Sequence, residues 1–515
     1  MRIKHSLINI SAGLGNQLII TALSFISRTV FITYLGIEYL GINGLFANIL
    51  GMLALAEAGI GSSIMYSLYK PVAENDKDKI KALMKLYKNA YLIIAGVVLL
   101  LGLIVVPFLG FIVNDTKVEN VLLIYLIFLI NTIAPYFFIY KHSFLNVCQR
   151  NYIVTIVFSV SSIILTGIRI AILVYTQNYF IYLVIESIIT ILTSLILSIK
   201  VDRMYPFLKE KVTTQLDNET KGSIIKNVKA IILQNIGSYL IFGTDSIIIS
   251  SFVSVAAVGL YSNYKMLIEI CRTFANQIFS NLYHSVGNLV AKESIEKIYS
   301  VYKAMWLLNF WLYSFFSISL LIILDPFITL WIGSEFLLDK NVLFILMFLF
   351  LERGMRNSIT TMKTTSGIFH QDRWAPLLQA AINLVFSIIL VQYIGIAGVF
   401  LGTLVSTLLV PFWLTPVLVY RKVFKTSVAH YFTRYFLYLV VAVGAYYCTN
   451  FLCSFVPEAG LGSIALKVVI CILIPNIIYL TVFYKSSEFI YLFGVLKGLL
   501  GRFNSRILVN RKVNY

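Results

Sequence analysis

Tyr91-Leu92-Ile93-Ile94-Ala95-Gly96-Val97-Val98-Leu99-Leu100-Leu101-Gly102-Leu103-Ile104-Val105-Val106 offers water no polar side chain beyond its first residue, and no charge falls between Lys88 and Asp115. A helix rises about 1.5 Å per residue, so roughly 20 apolar residues cross the hydrocarbon of a bilayer. This stretch belongs to such a span, near 84–112. Working outward from it, further apolar cores fall near 8–35, 39–69, 120–146, 152–176, 179–200, 226–252, 256–290, 303–331, 341–363, 374–394, 397–420, 431–452 and 462–484. The chain therefore reads as an all-α polytopic membrane protein of about fourteen transmembrane helices. Pro135, Pro411, Pro416 and Pro475 lie inside spans, where neighbouring helices absorb the kinks they cause.

Composition agrees. Apolar residues make up 59% of the 515, charged residues 12%, and the mean hydropathy is +0.87, too few polar groups to cover a water-facing surface. The net charge of +18 would suggest a nucleic-acid partner in a soluble protein, but here the basic residues fall between the apolar runs. Lys and Arg collect on cytoplasmic loops, and with the N-terminus inside roughly 32 of the 41 lie on that side. About two, Lys117 and Lys340, fall outside and about seven within spans, so both termini are expected in the cytoplasm and no nucleic acid is expected as partner. Met1 to His5 has the charge of a signal peptide, but the following apolar run is too long and lacks a cleavage site, so it reads as a retained first helix. The five cysteines show no metal-ligand spacing and read as small apolar residues.

The first six spans echo the next six. Leu40-Gly41-Ile42 aligns with Val258-Gly259-Leu260, Tyr87-Lys88 with Tyr302-Lys303, and Gln149-Arg150-Asn151-Tyr152 with Gln371-Asp372-Arg373-Trp374, at a nearly constant offset. Because six is even, the copies run parallel, related by an axis along the membrane normal. The expected organisation is an N-terminal six-helix lobe (1–204), a hydrophilic cytoplasmic linker (205–222) and a second six-helix lobe (223–425). Two further helices (426–485) and a basic amphipathic cytoplasmic tail (486–515) complete it. Two parallel bundles with a midplane site form a transporter plan that works by alternating access.

Charge inside a membrane is costly and faces a partner or a wet cavity. Arg28, Arg169, Glu186 and Asp245 each sit about seven residues from the outer end of a span, roughly 10 Å deep. Arg169 and Glu186 flank the 177–178 turn at equal distances, which predicts a structural ion pair holding that hairpin. Arg28 and Asp245 occupy nearly equivalent positions in the two repeats. They close an outer gate, meet the substrate separately, or form a static bridge. Helical spacing puts Gln17, Thr21, Ser24 and Arg28 on one face, and Asn235, Ser238 and Asp245 on another. It does the same for Lys265, Glu269, Arg272, Asn276 and Tyr283, and for Glu352, Arg356 and Lys363, with Arg353 alongside. Such rows imply a polar interior even if Glu269 with Arg272, and Glu352 with Arg356, neutralise each other. Arginine binds phosphate through a two-pronged fork, so Arg28, Arg272, Arg353 and Arg356 are the candidates for holding a diphosphate. Glu57, flanked by small residues in the inner half of the second span, is either a titratable coupling group or a pin for a basic residue such as Lys141.

Leu55-Ala56-Glu57-Ala58-Gly59-Ile60-Gly61-Ser62-Ser63, Tyr66-Ser67-Leu68-Tyr69-Lys70-Pro71, the charged run from Glu74 to Lys81 and Leu86-Tyr87-Lys88 carry a family pattern. So do Ser24-Phe25 with Arg28, Tyr34-Leu35-Gly36, and Asp245-Ser246-Ile247-Ile248-Ile249 followed by Val258-Gly259-Leu260-Tyr261. The sequence resembles the polysaccharide transporter (Wzx-type) branch of the multidrug/oligosaccharidyl-lipid/polysaccharide (MOP) exporter superfamily. The resemblance implies two six-helix lobes with extra C-terminal helices and a central cationic cavity in the bacterial cytoplasmic membrane. It also implies a flippase, not an enzyme, for undecaprenyl-diphosphate-linked oligosaccharide repeat units of capsule or exopolysaccharide. Lipid-linked oligosaccharide, membrane lipids and assembly proteins such as a polysaccharide polymerase are the implied partners. No cofactor or metal is expected; Glu57, Asp245 and Glu269 are the candidates for gating or for a coupling proton or sodium ion. The alternatives are a lipid II flippase of the same superfamily, a drug/cation antiporter, or a membrane-embedded polymerase or glycosyltransferase. Antiporters of this scaffold usually have twelve helices and an acidic interior. The enzymes need acidic residues on a sizeable outer loop, and this chain has short outer loops without Asp-x-Asp.

Overall fold

The computed structural model describes residues 2–57, 59–212, 216–217, 220–222, 224–226, 228, 243–368, 371–457, 460–495 and 497, with the side chains of 2–18, 55–56, 278, 280–288 and 291–292 excepted. Among the described residues every regular element is helical. Eight helices, from Lys77–Ile112 to Leu461–Phe483, are long and apolar enough to cross a bilayer. Counted as one bent span, the pair Val121–Phe137 and Ile139–Val147, which turns by 46° next to Pro135, makes nine among the described residues. Ile19–Leu35 and Ile37–Leu53 are shorter apolar helices. Of the remaining expected spans, the seventh lies largely outside the described residues. The eighth and tenth correspond to the Val255–Lys292 and Lys340–Thr365 helices, which carry the charged rows.

Local chemistry sets the helix ends. Asn75 turns into the left-handed region at φ 56, and the Asp76 carboxylate then accepts from the Lys79 N–H at 3.0 Å to start the next helix. Gln177 and Asn178 do the same between Asn151–Thr176 and Tyr179–Met204, Asn178 Oδ1 accepting from Ile181 N at 3.1 Å. The second expected span differs from a continuous helix. It breaks into Ile37–Leu53 and Ile60–Glu74, joined by a tight turn at Ala54–Glu57 and by Gly59 at φ 82, a conformation that glycine adopts without a Cβ penalty. The small residues there permit the break as well as close packing.

Two compact units emerge. One comprises Met1–Asn263 with Ala380–Gly402, the other Tyr264–Gln379 with Thr403–Tyr515. Within the first, the ends of Ile37–Leu53 and Val255–Lys292 pack backbone to backbone. A Cβ on Gly41 would collide with the Val255 carbonyl oxygen, and one on Gly259 with the Ile37 carbonyl oxygen. Gly41 aligns with Gly259 in the repeat, and Ile37 with Val255 in the same register, so each contact is the image of the other. Reciprocity of this kind marks a two-fold relation. A Cβ on Gly44 would stand 2.7 Å from Ser262 Oγ, and Asn48 Nδ2 donates to Ser246 Oγ at 2.8 Å. The Glu38 carboxylate accepts from Thr116 Oγ1 and Lys117 N, and Ser250 Oγ donates to the Ile112 carbonyl at 2.6 Å. These bonds close the end of the unit that the charge pattern assigns to the outside.

In the second unit an aromatic column joins Ile295–Trp331 to the two C-terminal helices. Trp306 stacks on Tyr431 at 4.6 Å, Phe310 on Tyr438 at 4.5 Å, and Phe310 also meets Tyr479. Ring pairs of this kind contribute about 0.5–1.5 kcal/mol each, which matters where lipid removes the hydrophobic drive between helices. Beyond Phe483, the nearly buried Glu488 accepts from Arg434 at 2.7 Å and lies 3.6 Å from Lys303 Nζ.

Two tests follow from this packing. Burial alone raises the Glu488 carboxyl, but the Arg434 hydrogen bond, its own N–H and the two cations outweigh it and hold the group below its ordinary 4.5. Because the folded value is the lower one, the clasp stabilises fully above that ordinary value and is lost as pH falls through the folded value. Thermal unfolding of the detergent-solubilised protein should therefore drop on acidification below 4.5, and Glu488→Gln should flatten that limb while costing about 2 kcal/mol at neutral pH. The glycine seam makes a separate claim. Gly41→Val or Gly259→Val alone should open Ser262→Cys to a maleimide in detergent, whereas Gly51→Val, where a Cβ meets nothing within 4 Å, should not.

Candidate functional site

The first unit holds its membrane charges in two groups. Arg169 and Glu186 form the hairpin ion pair, and the Arg169 guanidinium lies 4.5 Å from the centre of the Tyr182 ring. Phe31 meets Tyr179 and Tyr182 edge-on, fastening the first helix to the hairpin. One turn away, Arg28 Nη1 donates to Asn263 Oδ1 at 3.1 Å. Asn263 is fully buried and Asp245 nearly so. The hydrogen bond that Arg28 makes thus runs to an amide on the Val255–Lys292 helix. Asn235 and Ser238 lie outside the described residues, as do the side chains of Gln17 and Tyr283.

Glu57 sits at the break in the second span. Its Oε1 accepts from Tyr91 Oη at 2.6 Å, within a group of phenols where Tyr91 neighbours Tyr87 at 5.0 Å and Tyr136 at 5.8 Å. Gly61 makes room for it, since a Cβ there would stand 2.5 Å from Tyr91 Oη. Lys141 does not serve as its counter-ion but bonds to Asp202 at 2.7 Å. Tyr91 was invisible as a partner in the sequence; its one-turn spacing from Tyr87 was the available signal.

The second unit gathers three guanidiniums. Arg272 pairs with Glu269 one turn earlier on Val255–Lys292, both partly open. Glu352 and Arg356 pair on Lys340–Thr365 through two hydrogen bonds, at 2.6 and 3.1 Å, and Glu352 is almost wholly buried. Arg353 is exposed, with Arg272, Arg356, Glu269 and Tyr313 as its electrostatic neighbours. Three cations against two carboxylates give this group a net charge of +1. Tyr313, from Ile295–Trp331, reaches between the two charged helices with its ring flat on Gly354, where a Cβ would collide with it. Its hydroxyl donates to Asn276 Oδ1 at 3.2 Å. Arg356 is thus committed to Glu352, whereas Arg272 and Arg353 present the open cationic face. Among the described residues no three His, Cys, Asp or Glu side chains converge as a metal site would need.

The sequence profile described as polysaccharide biosynthesis protein matches residues 6–283, more than half of the chain. The chain belongs to that family. No curated relative matches it. Among solved structures, the lipid II flippase MurJ in an inward closed conformation is similar over 93% of this chain and 99% of its own, at 14% identity and a TM-score of 0.62. An inward-facing multidrug resistance MATE family transporter of the MOP superfamily covers 76% of this chain and 91% of its own, at 15% identity and a TM-score of 0.57. A mutant of the Vibrio cholerae MATE transporter VcmN covers 82% and 99%, at 15% identity and a TM-score of 0.56. This family member therefore has the fold of MOP-superfamily membrane transporters.

Burial separates the two carboxylates of the second unit. Glu352→Gln should cost about 3 kcal/mol, because it strands the Arg356 charge in a dry setting. Glu269→Gln should cost less than about 1 kcal/mol, since both members of its pair are partly open. Thermal unfolding of the two purified variants measures the difference.

Proposed function

We propose that the chain is a flippase that carries undecaprenyl-diphosphate-linked oligosaccharide repeat units from the inner to the outer leaflet of the bacterial cytoplasmic membrane. It works by alternating access, with both termini in the cytoplasm, and supplies capsule or exopolysaccharide synthesis. One observation carries the reading: a group of three guanidiniums and two carboxylates on two adjoining helices of a polysaccharide biosynthesis family member. Surplus positive charge attracts a diphosphate, and arginine forks fit its oxygens. Arg272 and Arg353 bind the diphosphate in the second unit, and Arg28 is the candidate ligand of the first. Arg356 keeps the group in place through Glu352. Glu57, Asp245 and Glu269 are the alternative carboxylates for gating or for a coupling proton or sodium ion. A polysaccharide polymerase and other assembly proteins take up the product.

Vesicles containing the purified protein and a fluorescent undecaprenyl-diphosphate-linked oligosaccharide test this directly. Arg353→Gln should slow translocation at least tenfold, and Arg272→Gln by several-fold, as loss of charge-assisted hydrogen bonds demands. Wild-type rates in both variants would sink the reading. In cells lacking the protein, completed units should accumulate on the inner leaflet. Unpolymerised units outside would instead favour an enzyme, and translocation of lipid II alone would favour the flippase type that MurJ is named for.

A further inference from the structure

We infer that Asn276 is a ligand-binding residue of this cationic group, giving its amide N–H2 to a diphosphate oxygen, and that Tyr313 is its positioning residue. The inference rests on the diphosphate reading above and names a contact that the arginines alone do not supply. Asn276 lies one turn beyond Arg272 on the same helix face and is exposed. Its Oδ1 is taken by the Tyr313 hydroxyl at 3.2 Å. An amide whose oxygen is engaged from one side presents its nitrogen donors on the other. Tyr313 has Arg353, Arg272 and the Glu269 carboxylate as electrostatic neighbours, and its hydroxyl donates to Asn276 Oδ1.

Tyr313 itself has little freedom. It is buried, its ring lies on the bare Cα of Gly354, and Phe350 packs against it at 5.0 Å. Gly354 directly follows Arg353, so one close approach of helices sets both the arginine and, through the phenol, the amide two helices away. The result is a neutral donor beside two cationic ones. That mixture suits a diphosphate, whose oxygens outnumber the charges that two guanidiniums neutralise and accept further hydrogen bonds.

The full-length protein in detergent, titrated with farnesyl diphosphate as an isoprenyl diphosphate probe, tests the assignment. Asn276→Asp keeps the acceptor for Tyr313 but removes the donor and adds repulsion. Asn276→Leu removes the donor without adding charge. Affinity should fall roughly 10- to 100-fold in the first and about 5- to 10-fold in the second, with unfolding temperature nearly unchanged for Asn276→Asp. Tyr313→Phe leaves the ring on Gly354 and should weaken binding about threefold by freeing the amide to rotate; it decides the matter if either Asn276 variant fails to fold. Weakening in Asn276→Asp alone would reveal a field effect and overturn the contact. Wild-type affinity in the Asn276 variants with a clear loss in Arg353→Gln would overturn the inference and leave the diphosphate reading standing. Wild-type affinity in Arg353→Gln as well would remove both.

Discussion

Hydrocarbon penalises a guanidinium by several kcal/mol unless a carboxylate, an amide or an aromatic face replaces its water. That demand organises the polar interior of this protein. Arg169 is answered by Glu186 and the Tyr182 ring, Arg28 by Asn263, Arg272 by Glu269 and Arg356 by Glu352. The partners differ in how firmly they hold. A bidentate bond to a carboxylate that is itself almost without exposure fixes Arg356 in place, whereas Arg28 is held by one charge-assisted hydrogen bond to a neutral amide. The strength of each bond therefore sorts the arginines into those held firmly in the helix bundle and those held by weaker or partly open contacts.

Close backbone contact is the complementary constraint. Without a hydrophobic drive between helices in lipid, association relies on van der Waals contact, and glycine brings backbones nearest. Gly41 and Gly259 do this reciprocally in the first unit, and Gly354 does it for Tyr313 in the second. The first pair closes one end of its unit and the other fixes the spacing of a charged group. Both functions depend on the missing Cβ, so neither survives a change that a soluble helix would accept as mild.

Much of this was legible in the sequence, for identifiable reasons. The helical class and membrane character follow from long uncharged runs such as that around Tyr91 to Val106. The Arg169–Glu186 pair was readable because a two-residue turn fixes the register of both helices. The alignment of Gly41 with Gly259 was visible as a repeat, but its consequence was not, since periodicity does not say which copies touch. The same limit hid Asn263 as the partner of Arg28 and Tyr91 as the partner of Glu57. These contacts join residues far apart in the chain, and apolar helices offer many equivalent packings. The break at Glu57 escaped for another reason: Ala, Gly and Ser serve equally for close packing and for unwinding, and only Gly59 at φ 82 distinguishes them.

The charged row of the second unit shows why helical spacing alone overstates a binding site. Three of the four candidate arginines lie there, yet they differ in what surrounds them. Arg356 has Tyr431 and Tyr435, both on Ala429–Cys453, as electrostatic neighbours, and Glu352 shares them. Arg353, the next polar residue back along the same helix, is exposed. Three residues at about 100° each leave the two guanidiniums roughly 60° apart around the helix axis, so they sit on one side of the helix but at different exposure. The Ala429–Cys453 helix thus acts on the cationic group even though no charge of its own joins it, because its Tyr431 and Tyr435 neighbour the buried pair. A helix that the repeat leaves unexplained acquires a physical role in this way: it supplies a wall against which one arginine is fixed while its neighbour stays exposed.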